Sequence, residues 1–256
     1  MDRQSLIGLN HFKEKAGILA IEAQTSQKAN EITSEILEKY CDSRTALCLS
    51  GGKTPIHLFK AIAVKRCLKT GAVLMVDERF GKKVHKNSNE LMIKDPGLLK
   101  YFDEQNIRFY PILQENQNLS DTALQYDETL RFLFKYFPKT VGLLGLGEDG
   151  HTAGIPAEVK SQKSKVKSSE DIVRRMVEDQ SSLVSHYELE GYGQRITMNF
   201  LALSQLDLIL ILVLGKEKRE ALKLMFGDGP IEEIPARFYL KPEIAAKTIL
   251  ITDQIV

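Results

Sequence analysis

Five short apolar runs, at residues 45–49, 72–76, 141–144, 208–214 and 248–252, each stop at a glycine turn or a charged residue, and stretches of helical periodicity separate most of them. Runs this short suit strands covered on both faces better than they suit buried helices. Strands alternating with helices predict parallel pairing through right-handed crossovers, with helices on both faces of one sheet. The expected class is therefore α/β with a mostly parallel sheet. A chain of 256 residues with 43% hydrophobic content can bury a full core, so one domain spanning 1–256 is expected.

Between the runs, Phe12, Ala16, Leu19, Ala20, Ala23, Ile32, Ile36 and Leu37 recur at helical spacing, which predicts one or two helices over 12–40. Leu124, Leu130, Phe134 and Tyr136 mark the apolar positions of another helix, 119–136. Residues 107–113 read as a further strand, a reading that Pro111 within it weakens. Ser88 and Asn89 are good N-cap residues for the periodic stretch at Leu91, Met92 and Ile93. Residues 161–169 hold four serines and three lysines around one apolar residue, Val166, the composition of a solvated loop.

Charge excludes several functions. The 35 basic and 34 acidic residues leave a formal net charge of +1, so no overall field draws the chain to nucleic acid or to an anionic membrane. The lysines of 161–169 have no interleaved aromatics and are opposed by Glu170 and Asp171, which argues against a nucleic-acid patch. Cys41, Cys48 and Cys67 lack metal spacing and read as reduced thiols. The N-terminus has no apolar signal region and no run approaches the roughly 20 apolar residues of a membrane helix, so a cytoplasmic protein is expected.

Two turns carry the chemistry. The run 45–49 ends in Ser50-Gly51-Gly52-Lys53-Thr54-Pro55, and Pro55 suits the first turn of a helix whose apolar face is Ile56, Leu58, Phe59 and Ile62. The free N–H groups of Gly51 to Thr54 would then meet an anion, above all phosphate, at the positive end of that helix. A Walker loop is excluded because position 47 is Leu47 rather than glycine. The run 72–76 leads into Asp77-Glu78-Arg79, charges expected on the same rim of the sheet. The run 141–144 ends in LGLGEDGHTAGIP, with Asp149 two residues before His151. A histidine suits proton transfer near neutrality, and a neighbouring carboxylate can hold its tautomer. Gly145, Gly147 and Gly150 also spell GxGxxG, but a dinucleotide would have to approach Glu148 and Asp149, and the helix it needs would meet Pro156 within about two turns. A plain structural turn with a surface histidine is the other reading of this stretch.

In their order, LSGGKTP at 49–55, VDERF at 76–80, SNELM at 88–92, LGLGEDGHTAG at 144–154, RITM at 195–198 and LGKEK at 214–218 resemble the 6-phosphogluconolactonases, whose superfamily also holds the glucosamine-6-phosphate deaminases. The resemblance implies a Rossmann-like fold that uses neither nicotinamide nor metal, a small sugar phosphate as the molecule bound, and a monomer or small homo-oligomer. It implies that Ser50, Gly51, Gly52, Lys53 and Thr54 hold the substrate phosphate with Lys218. Asp77, Arg79, Asn89 and Arg195 would complete the substrate set. His151 would be the base that takes a proton from water attacking a lactone carbonyl, oriented by Asp149.

Two stretches depart from the family pattern. After the histidine the family usually reads TASLFP, whereas here TAGIP is one residue shorter before the proline, so a different loop shape is expected. The block before RITM usually carries prolines, and Gly191-Tyr192-Gly193-Gln194 replaces them. Deaminase relatives read GHIAFNEP, with a catalytic Glu five residues beyond the histidine; Pro156 stands there and carries no proton. A non-catalytic sugar-phosphate sensor is the remaining alternative.

Overall fold

All five apolar runs become neighbouring strands of one sheet. The computed structural model describes residues 3–8, 11–115, 117–157 and 169–256. In chain order the first elements are α1 (Arg3–Ile7), β1 (Lys13–Lys15), β2 (Ile18–Glu22), α2 (Ser26–Tyr40), β3 (Thr45–Leu49), α3 (Ile56–Lys65), β4 (Ala72–Met75) and β5 (Asp77–Arg79). The middle holds α4 (Asn89–Lys94), α5 (Leu98–Glu104), β6 (Arg108–Tyr110), α6 (Leu119–Tyr136), β7 (Lys139–Leu144) and α7 (Ser169–Glu178). The last are β8 (Val184–Leu189), β9 (Gly193–Met198), α8 (Phe200–Ser204), β10 (Leu208–Val213), α9 (Arg219–Phe226), α10 (Pro242–Ala245) and β11 (Thr248–Thr252).

The eight-stranded sheet runs β1-β2-β11-β10-β7-β3-β4-β6, and every pair except β1–β2 is parallel. Strands β3, β4, β7, β10 and β11 are buried almost throughout, as both-face coverage requires. Helices α1, α2, α3 and α5 pack in series on one side, and α6, α7 and α8 pack against one another or against a small second sheet on the other. Helix α6 has the expected bounds, but it buries Thr122, Ala123, Tyr126, Leu130 and Leu133, while Leu124 and Tyr136 face solvent.

Two local expectations are corrected, at residues 12–23 and at Ser169, and one strand was not foreseen. Residues 12–23 form the β1–β2 hairpin instead of a helix, because Ala16 and Gly17 turn the chain at φ 49° and 79° and Ile18 to Ile21 form an unbroken buried strand beside β11. The helix begins only at Thr25, whose hydroxyl accepts from the Lys28 N–H. Asp77 to Arg79 are strand β5, which joins β9 and β8 in a three-stranded antiparallel sheet. Ser169 opens α7 rather than closing a loop, and the rest of the predicted 161–169 loop lies outside the described residues. Among the described residues, no helix is long and apolar enough to cross a membrane.

Asp127 on α6 holds the two layers of the second side together, its Oδ2 accepting the N–H groups of Leu183 (2.5 Å) and Val184 (3.0 Å) ahead of and within β8. Both donors belong to buried residues, so removing the acceptor leaves them unsatisfied. Asp127→Ala is expected to lose about 2–3 kcal/mol in urea unfolding, and Asp127→Asn, which keeps an acceptor oxygen, less than about 1.5 kcal/mol. A loss below about 0.5 kcal/mol for the alanine variant would show that water takes over the two N–H groups.

Candidate active site

The sheet order reverses between β3 and β7. From β3 the chain steps outward to β4 and β6; it then returns to β7 and steps the other way to β10 and β11. Crossovers leave such a switch point on opposite faces, and a crevice opens beyond the carboxyl ends of the two strands. The turns after β3 and β7 are the two singled out in the sequence. A hydrogen bond from Ser50 N–H to the Leu143 carbonyl, 2.9 Å, holds them side by side. They line one cavity of about 700 Å³, together with Asp77, Arg79, Asn89, Arg195 and Lys218. All twelve residues expected in the site therefore border the same space.

On the β3 side, α3 starts at Ile56 with Pro55 as its N-cap, one position earlier than the sequence suggests. Among the described residues the N–H groups of Gly51, Lys53 and Thr54 have no acceptor, whereas that of Gly52 points to Met92 Sδ at 3.3 Å. Three open amides at the head of a ten-residue helix suit an anion. The ammonium groups of Lys53 and Lys218 have no ion-pair partner among the described residues, and Lys218 ends the turn 216–218 that follows β10. A Cβ on Gly51 would overlap the Asn89 side chain, so glycine is required there for β3 and α4 to approach.

Asp77 joins the other loops. Its Oδ1 accepts from Ser50 Oγ at 3.1 Å and its Oδ2 from Asn89 Nδ2 at 3.0 Å, and the residue is only 6% exposed. Asn89 in turn accepts from Arg79 Nη1 at 2.9 Å. Glu78, on the opposite side of β5, accepts the N–H groups of Asn89 and Glu90 at the start of α4; burial pushes its carboxyl up to about 7 despite these bonds. Arg79 and Arg195 stand directly opposite each other on β5 and β9. Burial and the charge of Arg79 push the Arg195 guanidinium down. Two cations paired across strands repel unless an anion lies between or beside them.

On the β7 side, His151 Nδ1 is 2.6 Å from Asp149 Oδ1, which also accepts the His151 N–H at 3.1 Å. The anionic carboxylate makes Nδ1 the protonated nitrogen and leaves the Nε2 lone pair as the acceptor. Burial works to raise the Asp149 carboxyl, but hydrogen bonds from His151 and Tyr192 outweigh it and hold the group well below the usual carboxylate range. The ring lies so close over Gly147 that a Cβ there would collide with Nδ1 and Cε1.

The shortened loop beyond the histidine has a defined shape. Thr152 bridges Ile155, and its hydroxyl donates to the Gly145 carbonyl and meets the Tyr239 hydroxyl. Thr197 Oγ1 and Tyr187 Oη donate to the carbonyls of Ala153 and Gly154. Sequence reasoning missed Thr152, Tyr187, Thr197 and above all Tyr192, which lines the cavity. The only sequence signal for Tyr192 was an aromatic residue between two glycines where the family carries prolines.

The Rossmann-like sheet and its switch-point cavity define a class of α/β protein, here with open amides and cationic side chains beside a histidine–carboxylate pair. A family model described as glucosamine-6-phosphate isomerases/6-phosphogluconolactonase matches residues 20–249, and the chain belongs to that family. A 6-phosphogluconolactonase from Nostoc sp. is 28% identical over 203 residues, covering 76% of this chain and 77% of its own. Among solved structures, 6-phosphogluconolactonase from Plasmodium vivax superposes with a TM-score of 0.74 at 19% identity, over 100% of this chain and 97% of that one. The protein of the same name from Shewanella baltica gives 0.72 at 21% identity, over 92% and 96%. These solved structures support the fold; the site rests on the geometry above.

The contact of His151 with Gly147 predicts that Gly147→Ala displaces the imidazole from Asp149. The downfield proton resonance of the Nδ1–H···Oδ1 bond should then vanish while the melting temperature stays within a few degrees of wild type. A retained resonance would show that the turn yields instead of the ring.

Proposed function

We propose that this protein hydrolyses 6-phospho-D-glucono-1,5-lactone to 6-phospho-D-gluconate, a step of the oxidative pentose phosphate pathway. The observation that carries this reading is a tautomer-fixed histidine–aspartate pair sharing one cavity with three helix-start amides and two lysines that have no partner among the described residues. Family membership supports it, since the relatives cited above are named for this activity. Pro156, at the position where deaminase relatives carry their catalytic glutamate, tells against amino-sugar chemistry.

In the proposed mechanism the substrate phosphate is held by the amides and side chains of Ser50 to Thr54 with Lys218. Arg79, Arg195, Asp77 and Asn89 orient the sugar. His151 Nε2 takes a proton from water as its oxygen bonds to the lactone carbonyl carbon. The bond from that carbon to the ring oxygen then breaks, and the imidazolium returns the proton to the leaving oxygen, so the base is regenerated. Asp149 stabilises the imidazolium between the two transfers. General base catalysis is worth about 10²–10⁴-fold. We assign this activity to one functional unit spanning 1–256, acting in the cytoplasm as a monomer or small homo-oligomer. One contiguous core and free, buried Cys41 and Cys48 support the unit and the compartment.

The test is the disappearance of freshly generated lactone relative to the spontaneous rate, without added metal or nucleotide. His151→Asn should lower kcat by at least about 10²-fold while 6-phosphogluconate still binds and the melting temperature is unchanged. In the wild type the rate should fall as the pH is lowered through protonation of His151, because only the neutral ring accepts a proton. A folded His151→Asn protein with near wild-type turnover would remove the residue from the mechanism.

Thr54→Ala and Lys218→Ala should raise KM and leave kcat within about threefold, because the phosphate contacts are equal in ground and transition states. A collapse of kcat at constant KM in either variant would place the phosphate elsewhere.

A further inference from the structure

Tyr192 lies at the tip of the β8–β9 hairpin, far in sequence from the turn it touches. Its hydroxyl donates to Asp149 Oδ2 at 2.5 Å. The ring stands edge-on to the His151 imidazole, with centroids 5.9 Å apart and planes at 80°. Its backbone carbonyl accepts from Arg195 Nε at 2.9 Å. One residue thus touches both members of the His151–Asp149 pair and one of the two cavity arginines.

We propose that Tyr192 is a positioning residue for the His151–Asp149 pair, its hydroxyl fixing the carboxylate and its ring edge limiting the imidazole. This rests on His151 being the base proposed above. An Asp149 carboxylate held through Oδ1 alone can rotate about its Cβ–Cγ bond; with Oδ2 tied to a second strand it cannot do so without breaking a charge-assisted hydrogen bond. Burial, the hydrogen bond to Asp149 and the aspartate's charge all push the phenol up, so it stays a donor across the working pH range.

The hydroxyl also tempers the carboxylate. A donor on Oδ2 draws negative charge away from Oδ1, and without it Oδ1 favours the imidazolium more strongly. Glu148, Asp77, Arg79, Arg195, Glu217, Lys53 and Lys218 also charge the walls of this cavity. Tyr192→Phe leaves all of them in place and keeps the backbone carbonyl that holds Arg195. Any change in the pH response therefore comes from the hydroxyl.

Two measurements on Tyr192→Phe test the proposal. In lactone hydrolysis, kcat should fall about 10-fold with KM within twofold, the scale of one hydrogen bond to a charged group, and the acid limb of the pH–rate profile should move to higher pH. In the substrate-free protein, the His151 ring C–H resonance should titrate at higher pH than in wild type, at an unchanged melting temperature. An unchanged titration in the folded variant overturns the proposal whatever the rate does, and so does an unchanged kcat. If the wild type itself fails to hydrolyse the lactone, the functional reading falls, and the resonance titration alone decides whether Tyr192 positions the pair.

Discussion

The parallel pairing of β3 with β7 is the constraint on which the rest of the site depends. Residue by residue, Thr45 lies beside Lys139 and Leu49 beside Leu143, so both strands end at the same level. Two glycine turns separated by about ninety residues in sequence thereby leave the sheet together. A slip of one residue would turn every buried side chain of β3 to the opposite face, and strands buried on both sides leave little room for that. Helix α3 then carries one turn away on one side of the sheet, and the chain from His151 to Pro156 runs against the small sheet on the other. The crevice follows from topology before any polar residue is placed in it.

Polar residues then divide the crevice by charge. Lys53, Lys218, Arg79 and Arg195 contribute positive charge, while the acceptors of buried Asp77 and exposed Asp149 are used in hydrogen-bond networks. A net charge of +1 over the chain therefore hides four cationic side chains gathered on one cavity. Positioning rests on groups that do not react. Asp77 ties the β3 turn to Asn89, Glu78 holds the start of α4 and Thr197 fixes the loop after the histidine. Backbone approach is allowed by glycine at Gly51 and Gly147, where any side chain would meet Asn89 or the imidazole.

What could be read in advance was local. Each apolar run became a strand because four to seven consecutive buried residues suit a sheet covered on both faces, and each turn carried its own signal in glycine, proline or a capping side chain. Errors arose where partners far away in sequence decided the outcome. Ile18 to Ile21 fitted a helical pattern until β11 supplied a parallel neighbour. Asp77 to Arg79 were read only as charges at the end of β4, yet β9 pairs with them as a strand of a second sheet. Leu124 and Tyr136 had the right spacing for α6, but β8 and β9 pack on a different stripe. The twelve residues expected in the site sit in dense local blocks, and the structure brings all of them to one cavity. Tyr192 was not, because its role depends on a hairpin folding back over a turn formed forty residues earlier.

The glycine turn after β7 shows why spacing alone could not decide its use. In a dinucleotide site the third glycine of GxGxxG lets a helix pack on the strand, and the pyrophosphate takes the open amides at that helix start. Here the chain beyond Gly150 forms a bridge between Thr152 and Ile155 and then reaches Pro156, and among the described residues 151–157 there is no helix to present amides. The Gly147 N–H is spent on the His151 carbonyl at 2.8 Å, closing the turn on itself. The vacated space over Gly147 holds the imidazole, and the carboxylate that would have repelled a pyrophosphate faces the ring. The same three glycines therefore shape a seat for an imidazole, and the open amides lie on the neighbouring strand, whose turn does run into a helix.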